Sequence, residues 1–310
     1  MSIDTSMVKQ FSSNIYHLSQ QKDARVWPLL KRKETLVGEE KYFDRLGGAE
    51  VQEKTGRNSD VLFSEMEYTR RRLTMRDYYW STLVDKEDKL RIIHSPESEY
   101  AIEARSAVGR KMDDIAIAAL LGTVYTGKTG ATATVLPDAQ KMIATTGAAF
   151  SNFNVETLLN IKYKFDVNEV EDNDRHILLG AAEIRAMLRE DEMTSADFAT
   201  VKALVHGEIN QFMGFTFHRL ERLPLLTAAI TTANAATGDI TSGAVTAAIG
   251  SKRCIAFAGS AMLAGIGANP TARVSERADK HYANQLYYSM SIGAMRMEEV
   301  KVIEVITKQS

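Results

Sequence analysis

Cysteine, proline and tryptophan are scarce in this chain of 310 residues, which holds one, five and two of them. The lone cysteine, Cys254, cannot close an intrachain disulfide and fits a reducing compartment. Its default role is that of a small buried apolar side chain. No window approaches the ~18 continuous apolar residues of a membrane span, so no membrane helix is expected. The run Met1-Ser2-Ile3-Asp4-Thr5 has no basic region followed by an apolar core, so no signal peptide is expected. Neither sign of charge dominates: 38 basic residues face 40 acidic ones, for a net charge of −2. Sequence-independent nucleic-acid binding needs a clear Lys/Arg excess to displace counterions from phosphates, so it is a poor candidate for the main task.

Catalytic and metal-binding patterns are missing too. The six histidines are His17, His94, His176, His206, His218 and His281. None stands three or four residues from another histidine or from Cys254, whereas zinc sites show such clustered spacing. They read as surface or internally satisfied side chains. No serine sits in a G-x-S-x-G turn, and Gly259-Ser260 lacks that pattern. The adjacent carboxylates Asp113-Asp114 and Glu298-Glu299 point in different directions and read as solvated or salt-bridged. No catalytic residue, cofactor or metal ligand is assigned, and the expectation is a protein that is not an enzyme.

One run does match a functional pattern. Gly122-Thr123-Val124-Tyr125-Thr126-Gly127-Lys128-Thr129 fits the phosphate-binding motif G-x-x-x-x-G-K-[ST] at every position. That motif works between a strand and a helix, where loop amides and the helix N-terminus cradle the phosphates. Here the preceding residues form the end of a long helix, whose dipole presents its negative end. The following Gly130 to Pro137 are poor helix formers. The run reads as a chance Gly-rich loop.

What is present is an ordinary globular composition, 45% hydrophobic and 25% charged. Residues 1–33 are polar with scattered apolar residues and read as an arm, with a short helix near Val8, Phe11, Ile15 and Leu18. Residues 34–90 read as an extended two-stranded hairpin, above all from Val61 to Val84. Few of its residues have anything to bury, and an isolated hairpin is marginal in water. It is therefore expected to lie on a neighbouring subunit. Its charges, Glu65, Glu67, Arg70, Arg71, Arg72 and Arg76, are the candidate inter-subunit contacts. Pairing along such a contact is favoured over nucleic-acid contact by Arg70-Arg71-Arg72, because acidic residues surround the run.

The strongest helix signal covers 95–121. Ser95 suits the N-cap, Pro96 the first position, and Glu97 and Glu99 the first turn. Tyr100, Ala104, Val108, Met112, Ile115 and Ala119 form one apolar stripe on a rod roughly 40 Å long. The last turns are apolar all round, and Gly122 is expected to end them in a left-handed conformation. A Gly/Thr/Ala-rich connection follows over 123–150. Asn154 then caps a second helix that buries Leu158, Ile161 and Phe165. Later expectations are a buried strand at 176–181, short helices at 182–189 and from Ser195, and a strand from 207 running on to Leu223-Pro224. Residues 227–249 read as loop. A strand at 254–257, a helical turn at 261–265, and strands at 282–296 and 300–306 complete the chain. The class is α+β, with no internal repeat.

Certain runs resemble a known family. They are Thr194-Ser195-Ala196-Asp197-Phe198, Leu204-Val205-His206-Gly207-Glu208-Ile209, Phe212-Met213-Gly214-Phe215 with Leu223-Pro224, Gly267-Ala268-Asn269-Pro270, Glu276-Arg277-Ala278-Asp279, and Ser291-Ile292-Gly293-Ala294-Met295-Arg296 with Val300-Lys301-Val302-Ile303. With the order of elements, they resemble the major capsid proteins of tailed bacteriophages with the Hong Kong 97-type fold. The resemblance runs from about residue 34 to the end. It implies an N-terminal arm (1–33), an extended hairpin loop (34–90), a peripheral domain with its spine helix (91–168), an axial domain (169–277) and return strands of the peripheral domain (278–310). It further implies a coat protein that self-assembles as hexamers and pentamers into an icosahedral shell. That shell encloses double-stranded DNA without binding it specifically. The implied location is the virion, after assembly in the host cytoplasm. A separate scaffolding protein, a portal and a decoration protein are the implied partners. No Lys–Asn cross-linking pair of that family matches residue by residue. The alternatives are an encapsulin-like nanocompartment shell, a nucleotide-binding enzyme using Gly122–Thr129, and a tail or decoration protein.

Overall fold

A computed structural model describes residues 20–54, 56–57, 63, 65–85, 96–147, 149–190, 211–234, 237–240 and 245–309. The expected helices at Val8–Leu18 and from Ser195, and the cap at Ser95, lie outside these residues.

The backbone is mixed α+β, and one six-stranded sheet carries most of the core. Its order is β11 (Gln211–Phe212), β12 (Phe215–Arg219), β10 (Arg175–Leu179), β15 (Lys252–Ala258), β18 (Val302–Thr307) and β7 (Lys141–Ile143). Every residue of β10 and β18 is buried. Such continuous burial requires cover on both faces, which their apolar runs permit. Helix α2 (Val155–Val167) provides part of that cover with Leu158, Ile161 and Phe165, all fully buried in the same cluster as Ile177, Phe215 and Phe257. Each such side chain contributes about 1.5–3 kcal/mol by leaving water. The side chain of Asn154 caps α2 as expected, accepting from Thr157 N at 2.7 Å. Its amide also donates to the Thr145 carbonyl at 2.8 Å, fixing the helix start to the preceding turn. Helix α3 (Ala181–Met187) follows β10 directly.

A second sheet is long and narrow. Its order is β1 (Arg32–Thr35), β16 (Met262–Arg277), β17 (Ala283–Arg296) and β4 (Arg76–Val84). Helix α1 (Pro96–Leu121, 26 residues) lies on β17. It is buried through Ala104, Ala116, Ile117 and Leu120, although Ala118 is exposed, so its end is not apolar-covered all round. A third sheet, β2 (Glu40–Leu46), β3 (Tyr68–Thr74), β5 (Val124–Thr126) and β6 (Thr132–Thr134), rests on the second. Two small pairs remain, β8 (Thr145–Thr146) with β9 (Ala149–Phe150) and β13 (Ile230–Ala233) with β14 (Val245–Ala247).

Several expectations are corrected. The segment 61–84 is not one hairpin: β3 pairs with β2, whereas β4 pairs with β17 in another sheet. Residues 123–150 and 227–249 are not plain connections, since they contain β5, β6, β7, β8 and β9, and β13 and β14. The strand expected to run from 207 to 224 is broken by a turn at Met213 and Gly214, both with positive φ, and β12 ends at Arg219. The helical turn expected at 261–265 gives way to β16, which starts at Met262. Gly265 and Gly293 face each other across β16 and β17. A Cβ on either would collide with Leu36 and Leu73 or with the Thr74 backbone. These glycines therefore serve close packing of the third sheet on the second. Gly122 is not left-handed; a Cβ there would meet the Ala118 carbonyl. Strands β16 and β17 form one antiparallel hairpin, and β18 belongs to the six-stranded sheet.

Asp113 also departs from the solvated reading, being fully buried. It accepts backbone N–H groups of Arg25 (2.8 Å), Val26 (2.9 Å) and Trp27 (3.1 Å), and the side chain of Gln21. Val26, Trp27 and Leu30 thereby enter the main core, so this part of the expected arm is anchored. Asp114 pairs with Arg222 at 2.6 Å, as a salt-bridged carboxylate should. Replacing Asp113 by Ala orphans three backbone donors, two of them buried. The expected result is a loss of about 3 kcal/mol in urea unfolding, with new tryptic cleavage at Lys22 and Arg25.

Candidate inter-subunit surfaces

Alternation along β3 sends neighbouring side chains to opposite faces. Arg70 and Arg72 therefore face one way and Arg71 the other. Arg70 pairs bidentately with Asp44 of β2, at 2.6 and 3.1 Å. Arg72 reaches Glu40 at 3.1 Å and lies 4.9 Å from the Tyr125 ring centre. Arg71 turns inward and is 2% exposed. It donates from Nη1 to the Arg296 carbonyl at 2.8 Å and from Nη2 to Glu299 at 2.6 Å. All three arginines pair within their own chain. Arg71 is accordingly buried by the alternation of β3, where the charged run reads as surface. Glu65, Glu67 and Arg76 are exposed.

Arg296 completes the inner group and is fully buried. Its Nη1 donates to the carbonyls of Leu120 at 2.6 Å and Gly122 at 3.0 Å. A cation there satisfies the free carbonyls and opposes the negative end of the α1 dipole. Burial by itself pushes the Glu299 carboxyl up, but the Arg71 hydrogen bond and the neighbouring guanidiniums outweigh it and hold Glu299 below its ordinary range. Of the solvated and salt-bridged readings of Glu298-Glu299, the second holds for both: Glu299 pairs with Arg71 at 2.6 Å and Glu298 with Lys301 at 3.3 Å.

Two further surfaces project. From Gly267 to Arg277 every residue of β16 is exposed. Tyr79 and Tyr287 stack across β4 and β17 with centroids 6.1 Å apart, and Tyr79 is 76% exposed. The Gly122–Thr129 run builds a β-turn between β5 and β6, with Gly127 at φ +93°. No helix follows it, so it lacks the geometry of a nucleotide cradle.

Sequence spacing missed one cluster. His176 of β10 and His218 of β12 stand 42 residues apart but on adjacent parallel strands. Their facing nitrogens are 3.2 Å apart, and Asp174 lies 3.0 Å from His176 Nε2. Burial, then the neighbouring His176, pushes His218 down to about 4. Burial also lowers His176, against the opposing pull of Asp174. Both are neutral in the folded protein near pH 7, whereas an unfolded histidine takes up its proton near 6.5. Their contribution to stability is thus complete above about pH 6.5. It declines as pH falls from there towards about 4. Thermal unfolding between pH 8 and 4.5 should show this decline, and His218→Gln should flatten it.

Comparison with known proteins places this geometry. A model of the phage capsid protein family matches residues 3–308. No curated protein matches. Among solved structures, the capsid of cyanophage P-SCSP1u is similar at 14% identity and a TM-score of 0.75, covering 100% of this chain and 95% of that one. The cyanophage Pam1 capsid is similar at 11% identity and a TM-score of 0.72, covering 99% and 98%. The head of Helicobacter pylori bacteriophage KHP40 is similar at 10% identity and a TM-score of 0.71, covering 99% and 96%. These structures share the fold expected from the resemblance. With the family model spanning nearly the whole sequence, this chain belongs to the phage capsid protein family.

Proposed function

We propose that the chain is a major capsid subunit that closes, as hexamers and pentamers, into an icosahedral shell around double-stranded phage DNA. One observation carries this reading beyond family membership: the continuation of β2 and the far part of β16 project without cover from their own chain. The β2–β3 hairpin leads into residues 47–54, all exposed, and β16 exposes every residue from Gly267 to Arg277. An uncovered strand edge is a template for pairing with another chain. Identical copies related by rotation supply that cover by head-to-tail contacts that close.

In this reading α1 is the spine helix and the β2–β3 pair is the base of the extended loop. Glu65, Glu67 and Arg76, with the outer faces of Arg70 and Arg72, contact the neighbouring subunit. A separate scaffolding protein and a portal direct closure, a decoration protein binds outside, and assembly takes place in the host cytoplasm. The subunit catalyses nothing. Near-balanced charge suits a lining that leaves packaged DNA free to move.

Electron microscopy of the recombinant protein, with and without scaffold from the same source, tests this directly. Closed angular shells or six- and five-membered rings are expected. The double variant Glu65→Lys with Glu67→Lys should fold normally, by circular dichroism and thermal unfolding, yet assemble poorly. Only small particles without capsomer geometry, even with scaffold, would contradict the reading.

A further inference from the structure

A cavity of about 710 Å³ opens beside the β2–β3 hairpin. Arg45, Arg70, Arg71 and Lys128 line it, against Asp44 and Glu299. Arg70 and Asp44 neutralise one another through two hydrogen bonds. Glu299 is left to serve three guanidiniums: Arg71 at 2.6 Å, Arg296 at 3.7 Å and Arg45 at 3.8 Å. One carboxylate cannot balance three buried or half-buried cations. Lys128, on the exposed β5–β6 turn, adds a fourth positive charge at the rim.

The hydrogen-bond pattern points the same way. Arg71 is 2% exposed and lines the cavity, yet its Nε has no partner. Behind it, Nη2 of the fully buried Arg296 has no hydrogen-bond partner, and its Nε meets only Glu299 Oε1, at 3.7 Å. Buried donors without partners are rare in folded proteins, and buried charge is stable only when paired. A guanidinium fork matches the paired oxygens of a carboxylate or phosphate, and a lysine supplies a mobile point charge beside it.

We infer that this cavity is a binding site for an oxyanion, a phosphate or carboxylate group held by Arg45 and Lys128 in the field of the buried Arg71 and Arg296 guanidiniums. Lys128 thus has a role related to charge but not to nucleotide hydrolysis. The end of α1 nearby presents carbonyls, already taken by Arg296, and leaves no helix N-terminus for a nucleotide chain of phosphates. The oxyanion has two sources of the same chemistry: free phosphate, or a carboxylate of a second copy of this chain. The site itself does not depend on the shell reading; only the second source does.

The test is thermal unfolding of the unassembled full-length chain in inorganic phosphate against chloride at matched ionic strength. Phosphate at ten times its Kd should raise the midpoint by about 2 °C, with a further logarithmic rise at higher concentration. Lys128→Glu, on an exposed turn, should fold with a midpoint in chloride no lower than that of the native chain, and lose the phosphate effect. Arg45→Gln provides a second variant with the same expected loss. The same titration on assembled shells separates the sources. A rise that persists identifies free anion, and a rise that disappears identifies a carboxylate supplied by the neighbour. Either result supports the site. No difference between phosphate and chloride in the unassembled chain, or an equal rise in Lys128→Glu, would overturn it.

Discussion

Three structural units meet at one buried ion cluster. Arg296, near the end of β17, holds the last carbonyls of α1. Glu299 binds Arg71, which in turn holds the Arg296 backbone from within β3. The long helix, the long ribbon and the projecting hairpin are therefore joined through one carboxylate and two buried guanidiniums. Buried ion pairs contribute little net stability over apolar packing. Their use here is geometric. Apolar contacts such as Leu36, Leu73, Leu263 and Met295 bring the sheets together but do not fix a direction, whereas guanidinium hydrogen bonds do.

That fixed direction matters to a subunit whose function is to meet copies of itself. A closed shell tolerates little angular error at each contact, because identical contacts repeat around every symmetry axis. The hairpin projects from the cluster, so its aim is set where β3 crosses β16 and β17. The facing glycines Gly265 and Gly293 permit the crossing, and Arg71 locks it. About two turns earlier in α1, Asp113 fixes the N-terminal segment on the same helix. Helix α1 thus serves as the common support of both.

The sequence was most legible where a local rule suffices. The α1 periodicity, the Asn154 cap and the apolar runs of β10, β15 and β18 all depend on neighbours a few residues away. It was least legible where a residue serves a distant one. Strand β16 contains Gly265, Gly267 and Pro270, which local propensity counts against a strand; the glycines are there because another sheet crosses. Arg71 sits in a charged run that reads as surface, and only the alternation of β3 shows that it turns inward. The partner of β3 is separated from it by residues 47–67, and no short turn signal marks that pairing. Asp113 and Asp114 look alike in sequence but end in a buried cap and a surface ion pair. His176 and His218 meet only because β10 and β12 are parallel neighbours. Family resemblance supplied the fold and the role, neither of which composition or motifs could supply.

Hydrogen exchange on Glu299→Gln compared with the native chain tests the central claim most directly. If the cluster joins the three units, amides in 40–46, 68–74 and 118–122 should lose protection together while those of β10 and β15 keep theirs. Faster exchange confined to the hairpin, with the end of α1 unchanged, would contradict it.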